Sequence, residues 1–117
     1  MQIARPDTAP RLVRWHGANI AVRPLLNMTD ASNFVNGVMR ACYDGKRDMC
    51  FPEAMELSIR AYTVMYYSNA RLPEDLEKQN EILFGSDLYD TLRREINLPQ
   101  HEALVRAVEL CMGSAMR

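Results

Sequence analysis

The segment 52–68, PEAMELSIRAYTVMYYS, constrains the fold most, because it has the pattern of a helix with apolar side chains nearly all round. A helix of that kind is normally buried. Pro52 suits the first helical turn, where its missing N–H costs no hydrogen bond, and Glu53 and Glu56 suit the positive end of the helix dipole. The segment therefore predicts a central helix that the rest of the chain covers. The side chains expected to fill its circumference are Met55, Leu57, Ile59, Ala61, Tyr62, Val64, Met65 and Tyr66.

Residues 11–25, RLVRWHGANIAVRPL, have the alternation and the central glycine of a β-hairpin. The predicted turn is Gly17-Ala18, with glycine first as a type II′ turn requires. In this register Trp15 lies opposite Ile20. Because an isolated hairpin is only marginally stable, its apolar face should dock on the helices. That face carries Val13, Trp15, Ile20 and Val22.

Apolar spacing of i, i+3, i+4 and i+7 predicts four further helices. Asn27 is the expected N-cap of the first, and Gly37 inside it weakens the helix by about 1 kcal/mol relative to alanine while permitting close packing. Gly85 and Gly113 are expected to end the third and the last helix. The predicted bounds are 28–42, 74–84, 87–96 and 99–112.

These elements together indicate an α-rich (α+β) fold in which an N-terminal hairpin precedes a compact bundle of about five helices. The predicted organisation is an extended arm over 1–10, a single domain over 11–112 and a tail over 113–117. Within the domain, the hairpin takes 11–25 and the helices take 28–112. Apolar residues make up 48% of the chain, which argues against a disordered protein.

Charge and cysteine content exclude several classes of protein. The net charge of −1 argues against nucleic acid as a general partner, although residues 1–26 hold four arginines and one aspartate. No apolar run is long enough to predict a membrane span. Cys42, Cys50 and Cys111 are an odd number without a CxxC pair, so we expect buried, reduced thiols rather than disulfides or a zinc site.

No constellation of catalytic side chains is visible. His16 and His101 are far apart and lack a ligand neighbour at metal-site spacing, so we expect both to be solvated. A helix-turn-helix at Gly85 is an alternative, but Asp87 and Asp90 would repel phosphate at the start of its second helix. The prediction is a protein that is not an enzyme and holds no cofactor or metal.

Four short motifs mark the chain: a tryptophan-glycine hairpin, a "PE" helix start, a "YSN" helix exit followed by "LP", and an "FGSD" turn. They lie at residues 15–17, 52–53, 67–73 and 84–87. In this combination the chain resembles a family of small proteins encoded in phages and prophages of Firmicutes. The likeness covers roughly residues 11–110, and every motif is a turn, a cap or a core position.

The resemblance implies a non-enzymatic phage virion assembly protein, either a tail assembly chaperone or a neck (head–tail) component. Its partners would be other phage structural proteins or further copies of itself in a homo-oligomer. It would act in the host cytoplasm during assembly or in the virion. The alternative is a small phage-encoded regulator or inhibitor that binds a host protein or nucleic acid.

The predicted partner contact lies on the hairpin, because arginine and tryptophan dominate interface energetics and an edge strand offers free peptide groups. Its basic surface could meet an acidic face on a neighbouring copy and give a head-to-tail ring. The alternative is that the tryptophan only packs on the helices and the arginines are solvated. The predicted contact residues are Arg11, Arg14, Trp15 and Arg23 on the hairpin, with Glu74, Glu77 and Glu81 on the acidic face.

Overall fold

The computed structural model describes residues 2–42 and 52–115, and it confirms the predicted α+β fold. Residues 2–10 are exposed and form neither helix nor strand. A two-stranded antiparallel hairpin follows, and then the helices. In the described part of the chain the elements are β1 (Arg11–Trp15), β2 (Ala18–Val22), α1 (Met28–Cys42), α2 (Pro52–Tyr67), α3 (Leu76–Gly85), α4 (Leu88–Arg93) and α5 (Leu98–Ala115).

Helix α2 occupies the centre of the fold, where it contacts α1, α3 and α4. Met65 is an exception to the prediction, because 54% of it is exposed where α2 faces a groove beside the hairpin. Among the α2 side chains that the structure describes, Met65 is therefore the one for which the prediction of an almost fully covered helix is wrong. The core side chains with no exposed surface are Val22, Phe34, Val38, Val64, Tyr67, Leu83, Leu92 and Val108.

Helix α1 begins and ends where the sequence predicts. The Asn27 side-chain oxygen accepts a hydrogen bond from the Asp30 amide at 2.8 Å, so the expected N-cap is confirmed. Gly37 is buried, and a Cβ at this position would overlap the ring of Tyr62 on α2. The glycine therefore sets how closely the two helices approach.

The hairpin turn differs from the prediction by one residue. The turn residues are His16 and Gly17, with φ of 47° and 79°, which is the conformation of a type I′ turn. Trp15 consequently pairs with Ala18, so the predicted register is wrong by two residues. Because side chains alternate with a period of two, the apolar residues still share the predicted face.

One of the two glycines that were predicted to end helices does so. Gly85 is the last residue of α3, but it is not left-handed, and the Ser86 hydroxyl donates to the Ile82 carbonyl at 2.5 Å. Helix α5 continues through Gly113 to Ala115. Helix α4 is shorter than predicted and ends at Arg93.

The cysteine prediction holds for one of the two thiols that are described. Cys42 is buried at the end of α1, whereas Cys111 is exposed. The buried face of α5 passes through Val108 and Met112, and Cys111 lies at its margin. Cys50 lies outside the described residues. No helix of the described residues has the length and apolar character to cross a membrane.

Candidate functional site

The two edges of the hairpin differ in their backbone partners. At the outer edge of β2, Ala21 donates to the Asn69 side chain at 2.9 Å and accepts from the Asn69 amide at 3.1 Å. The Arg23 amide donates to the Tyr67 carbonyl at 2.8 Å, and Val22 bridges Ser68. The exit of α2 therefore covers β2 and leaves β1 as the open edge.

The register fixes which peptide groups of β1 face outward. Trp15 flanks the two-residue turn and forms a hydrogen-bonded pair with Ala18 of β2. Because hydrogen-bonded and non-hydrogen-bonded pairs alternate along an antiparallel pair of strands, the N–H and C=O groups of Leu12 and Arg14 point away from β2. No backbone hydrogen bond among the described residues reaches these groups from outside the hairpin. Pro10, the preceding outward position, has no N–H and so limits the open edge to a short stretch.

One exposed apolar side chain lies at this edge. Leu12 is 77% exposed and lies opposite Ala21 on the outer face of the hairpin. A groove of about 370 Å³, lined by Ala21 and Met65, lies on the other side of the hairpin, between β2 and α2. Leu12 is therefore the apolar surface at the open edge that a partner strand could cover.

The predicted arginines have different surroundings. Arg11 donates to the Glu95 carbonyl at 3.1 Å and pairs with the Glu95 and Asp7 carboxylates at 3.5 and 3.6 Å. Arg23 pairs with Asp30 at 2.8 Å and donates to the Tyr66 carbonyl at 3.0 Å. Arg11 and Arg23 therefore hold the hairpin to the helices.

Arg14 is exposed, and its side chain makes no ion pair or hydrogen bond with the described residues. It lies on the outer face with Leu12, because the two residues are two positions apart on one strand. Of the three hairpin arginines, Arg14 is therefore the one positioned for a partner.

Trp15 fastens the hairpin to the α3–α4 turn. Its indole N–H donates to the Asp87 carboxylate at 2.8 Å, and its half-buried ring packs against the core. This hydrogen bond is the main reason that the pKa of Asp87 is lowered. The structure therefore gives Trp15 the packing role that was the alternative to partner contact.

Of the three predicted acids, Glu74 lies just before α3, and Glu77 and Glu81 lie within it. Glu74, Glu77 and Glu81 are all exposed, and Glu77 and Glu81 are one helical turn apart. No ion pair among the described residues joins them to a hairpin arginine. We call these three residues the acidic face.

A second candidate site, which the sequence prediction missed, contains His101. This residue is only 1% exposed, so the expectation of a solvated histidine is wrong. Burial, and then the Arg93 guanidinium, lower the pKa of His101 to about 4, so the ring is neutral at pH 7. The spacing of seven residues between His101 and Val108 is the sequence signal that places both on one helix face.

The hydrogen bonds of Thr63 determine the tautomer of His101. The Thr63 hydroxyl donates to the Ile59 carbonyl at 2.7 Å, so its oxygen accepts from His101 Nε2 at 2.8 Å. The proton is then on Nε2, and Nδ1 carries a lone pair. His101 Nδ1 is buried and has no hydrogen-bond partner among the described residues.

Arg93 also has a buried donor without a partner in the described structure. Its Nε is buried without a partner in the described part of the chain, while its Nη2 lies 3.9 Å from the Glu102 carboxylate. Arg93 and His101 both line a cleft of about 310 Å³ between α2, α4 and α5. Tyr89 forms part of the same wall, and burial raises the pKa of its hydroxyl above the usual value.

The described residues contain no group of three or more histidine, cysteine or acidic side chains placed to hold a metal ion. The chain matches no protein-family model, no curated protein and no solved structure.

Proposed function

We propose that this protein is a non-enzymatic component of phage virion assembly that acts through protein–protein contacts made by its hairpin. The open β1 edge beside exposed Leu12 and Arg14 is the observation that carries the proposal. Unpaired peptide groups on an edge strand are a template for a strand from another chain. The resemblance described above supplies the phage setting.

The peptide groups of the β1 edge and the side chains beside it would contribute to binding in different ways. The outward peptide groups of Leu12 and Arg14 would bond a partner strand, and the Leu12 side chain would lose exposed apolar surface in the complex. The charge of Arg14 would contribute to specificity for the partner, because complementary charges mainly set specificity and the rate of encounter. Arg11 and Arg23 keep the edge in place through their contacts with Glu95 and Asp30.

A second copy of the chain fits this surface. Arg14 has no partner of its own in the described structure, and neither do the carboxylates of the acidic face. Contact between Arg14 of one copy and the acidic face of the next would be head-to-tail, which generates a ring when the rotation closes. Salt should weaken such an association because the charges are exposed.

Solution mass across protein and salt concentrations tests this function. The wild type should exceed its monomer mass of 13.4 kDa at low salt, and Arg14→Glu should return it to that mass. Glu77→Arg with Glu81→Arg, added to Arg14→Glu, should restore the association by reversing both partners. Arg106→Glu makes the same charge change on an exposed part of α5 and should leave the mass unchanged.

A pair of substitutions at Leu12 tests the edge separately. Leu12→Pro removes one outward N–H, whereas Leu12→Ser shortens the side chain and keeps that N–H. The proline variant should lose association more completely than the serine variant if backbone pairing holds the partner. Equal masses for wild type and both folded variants would place the contact elsewhere.

A further inference from the structure

We propose that the cleft between α2, α4 and α5 is a binding site for a neutral ligand that carries a carboxamide group. The site is separate from the hairpin and does not depend on the function proposed for it. Arg93 and His101 both line this cleft, and Arg93 Nε and His101 Nδ1 are buried without partners among the described residues. Leaving a buried donor or acceptor unpaired is costly, so both atoms favour a ligand that pairs with them.

The chemistry of the two atoms defines the group. His101 Nδ1 can only accept, because Thr63 fixes the proton on Nε2. Arg93 Nε can only donate. A carboxamide supplies an N–H for the histidine and a carbonyl oxygen for the arginine, and it does so without a net charge.

The surrounding charges disfavour ionic ligands. A carboxylate has no hydrogen to give Nδ1, and it would meet the acidic side chains of the cleft. A cation would meet Arg93 and Arg106. The acidic residues that line the cleft are Glu56, Glu102 and Glu109.

The remaining walls suit a small apolar body attached to the carboxamide. Ile59, Tyr89 and Val105 line the cleft beside the polar atoms. Its volume of about 310 Å³ is at the lower end of the range for small-molecule sites. An aromatic or short aliphatic amide therefore fits better than an extended chain.

Benzamide, benzoate and benzylamine form a matched set of probes, since they share a ring and differ in the charge of the attached group. Each is titrated into the isotope-labelled protein at pH 7 while backbone amide and histidine ring resonances are followed by NMR. Benzamide should shift the resonances of His101 and the cleft residues in a saturable way. Benzoate and benzylamine should leave them in place.

Two variants assign the contact to the named atoms. Arg93→Lys keeps the charge but has no Nε, and His101→Phe keeps a ring but has no acceptor. Each should weaken benzamide binding by about tenfold or more, the usual effect of losing a hydrogen bond to a charged or buried group. Arg94→Lys changes an exposed neighbour outside the cleft and should bind benzamide like the wild type.

Three results would overturn the proposal: benzamide causes no saturable shift, benzoate shifts the same residues as strongly, or the folded Arg93→Lys variant binds benzamide like the wild type. Equal shifts from benzoate would point to an anion site with proton uptake by His101. Because Arg93→Lys keeps a long basic side chain, the test stands even if His101→Phe does not fold.

Discussion

Replacing Gly37 by alanine tests the packing of α1 on α2. A Cβ at this position would overlap Tyr62 Cε1 and lie 3.0 Å from Cδ1 and Cζ of the same ring. Tyr66 stacks on one side of the Tyr62 ring, with centroids 6.0 Å apart, and limits its movement in that direction. Overpacking costs about 1–3 kcal/mol, and alanine returns about 1 kcal/mol through its higher helix propensity. The expected net loss of stability is therefore up to about 2 kcal/mol.

Urea unfolding of a matched pair of variants measures this effect. Gly113 also lies inside a helix, but nothing is within 4 Å of a Cβ built there, so Gly113→Ala should gain up to about 1 kcal/mol. The two substitutions are chemically identical and should have opposite signs. Tyr62→Leu should reduce the cost of Gly37→Ala, and a double-mutant cycle gives the coupling between the two sites.

The result that refutes this reasoning is a stabilised Gly37→Ala variant. If alanine at residue 37 raised stability as much as alanine at residue 113, α1 would not approach α2 as closely as described. The central position of α2 would then be wrong as well, since α1 is its principal cover.

Three further predictions concern buried and exposed side chains. The pKa of His101 is about 4 in the folded protein and 6.5 ordinarily, so the unfolded state binds more protons than the folded state between these two pH values. The free energy of unfolding should therefore fall by about 3 kcal/mol as pH is lowered from 6.5 to 4. His101→Phe should flatten that part of a pH series of unfolding curves, and an equal slope in the variant would contradict the assignment. Thr63→Val leaves His101 Nε2 without its acceptor and should cost about 1–3 kcal/mol, whereas Thr63→Ser should cost less in the same assay. In a Cys50→Ser background, a thiol reagent should modify exposed Cys111 quickly and buried Cys42 only on unfolding, and mass spectrometry of timed samples measures both. Equal modification rates for the two thiols would contradict the burial of Cys42.

Local signals in the sequence predict the helices well. The bounds of α1 follow because its apolar period and the Asn27 cap agree, and α2 follows from its length and apolar circumference. The faces of the hairpin are also predictable, since a shift of two residues preserves them. The register is not, because it depends on His16 adopting a left-handed backbone conformation.

Long-range pairing explains what the sequence does not predict. Arg23 pairs with Asp30 and bonds to the end of α2, while Arg11 pairs with Glu95 across most of the chain. Of the three hairpin arginines, only Arg14 therefore remains exposed and unpaired in the described structure. His101 can be buried because the Thr63 hydroxyl, on another helix, accepts a hydrogen bond from its Nε2–H group. The spacing of apolar residues along one helix indicates which face is buried, but it does not indicate which residue of a second helix is the hydrogen-bond partner.

Amide hydrogen exchange at Leu12 and Arg14, followed as protein concentration is raised, tests most directly that β1 is a binding edge. These two outward amides should exchange rapidly in the dilute protein and become protected as it associates. Val13, whose amide already bonds to β2, serves as the internal control and should change little. A mass above 13.4 kDa, with the Leu12 and Arg14 amides exchanging as in the monomer, would contradict the account, and so would a wild type that remains monomeric at every concentration.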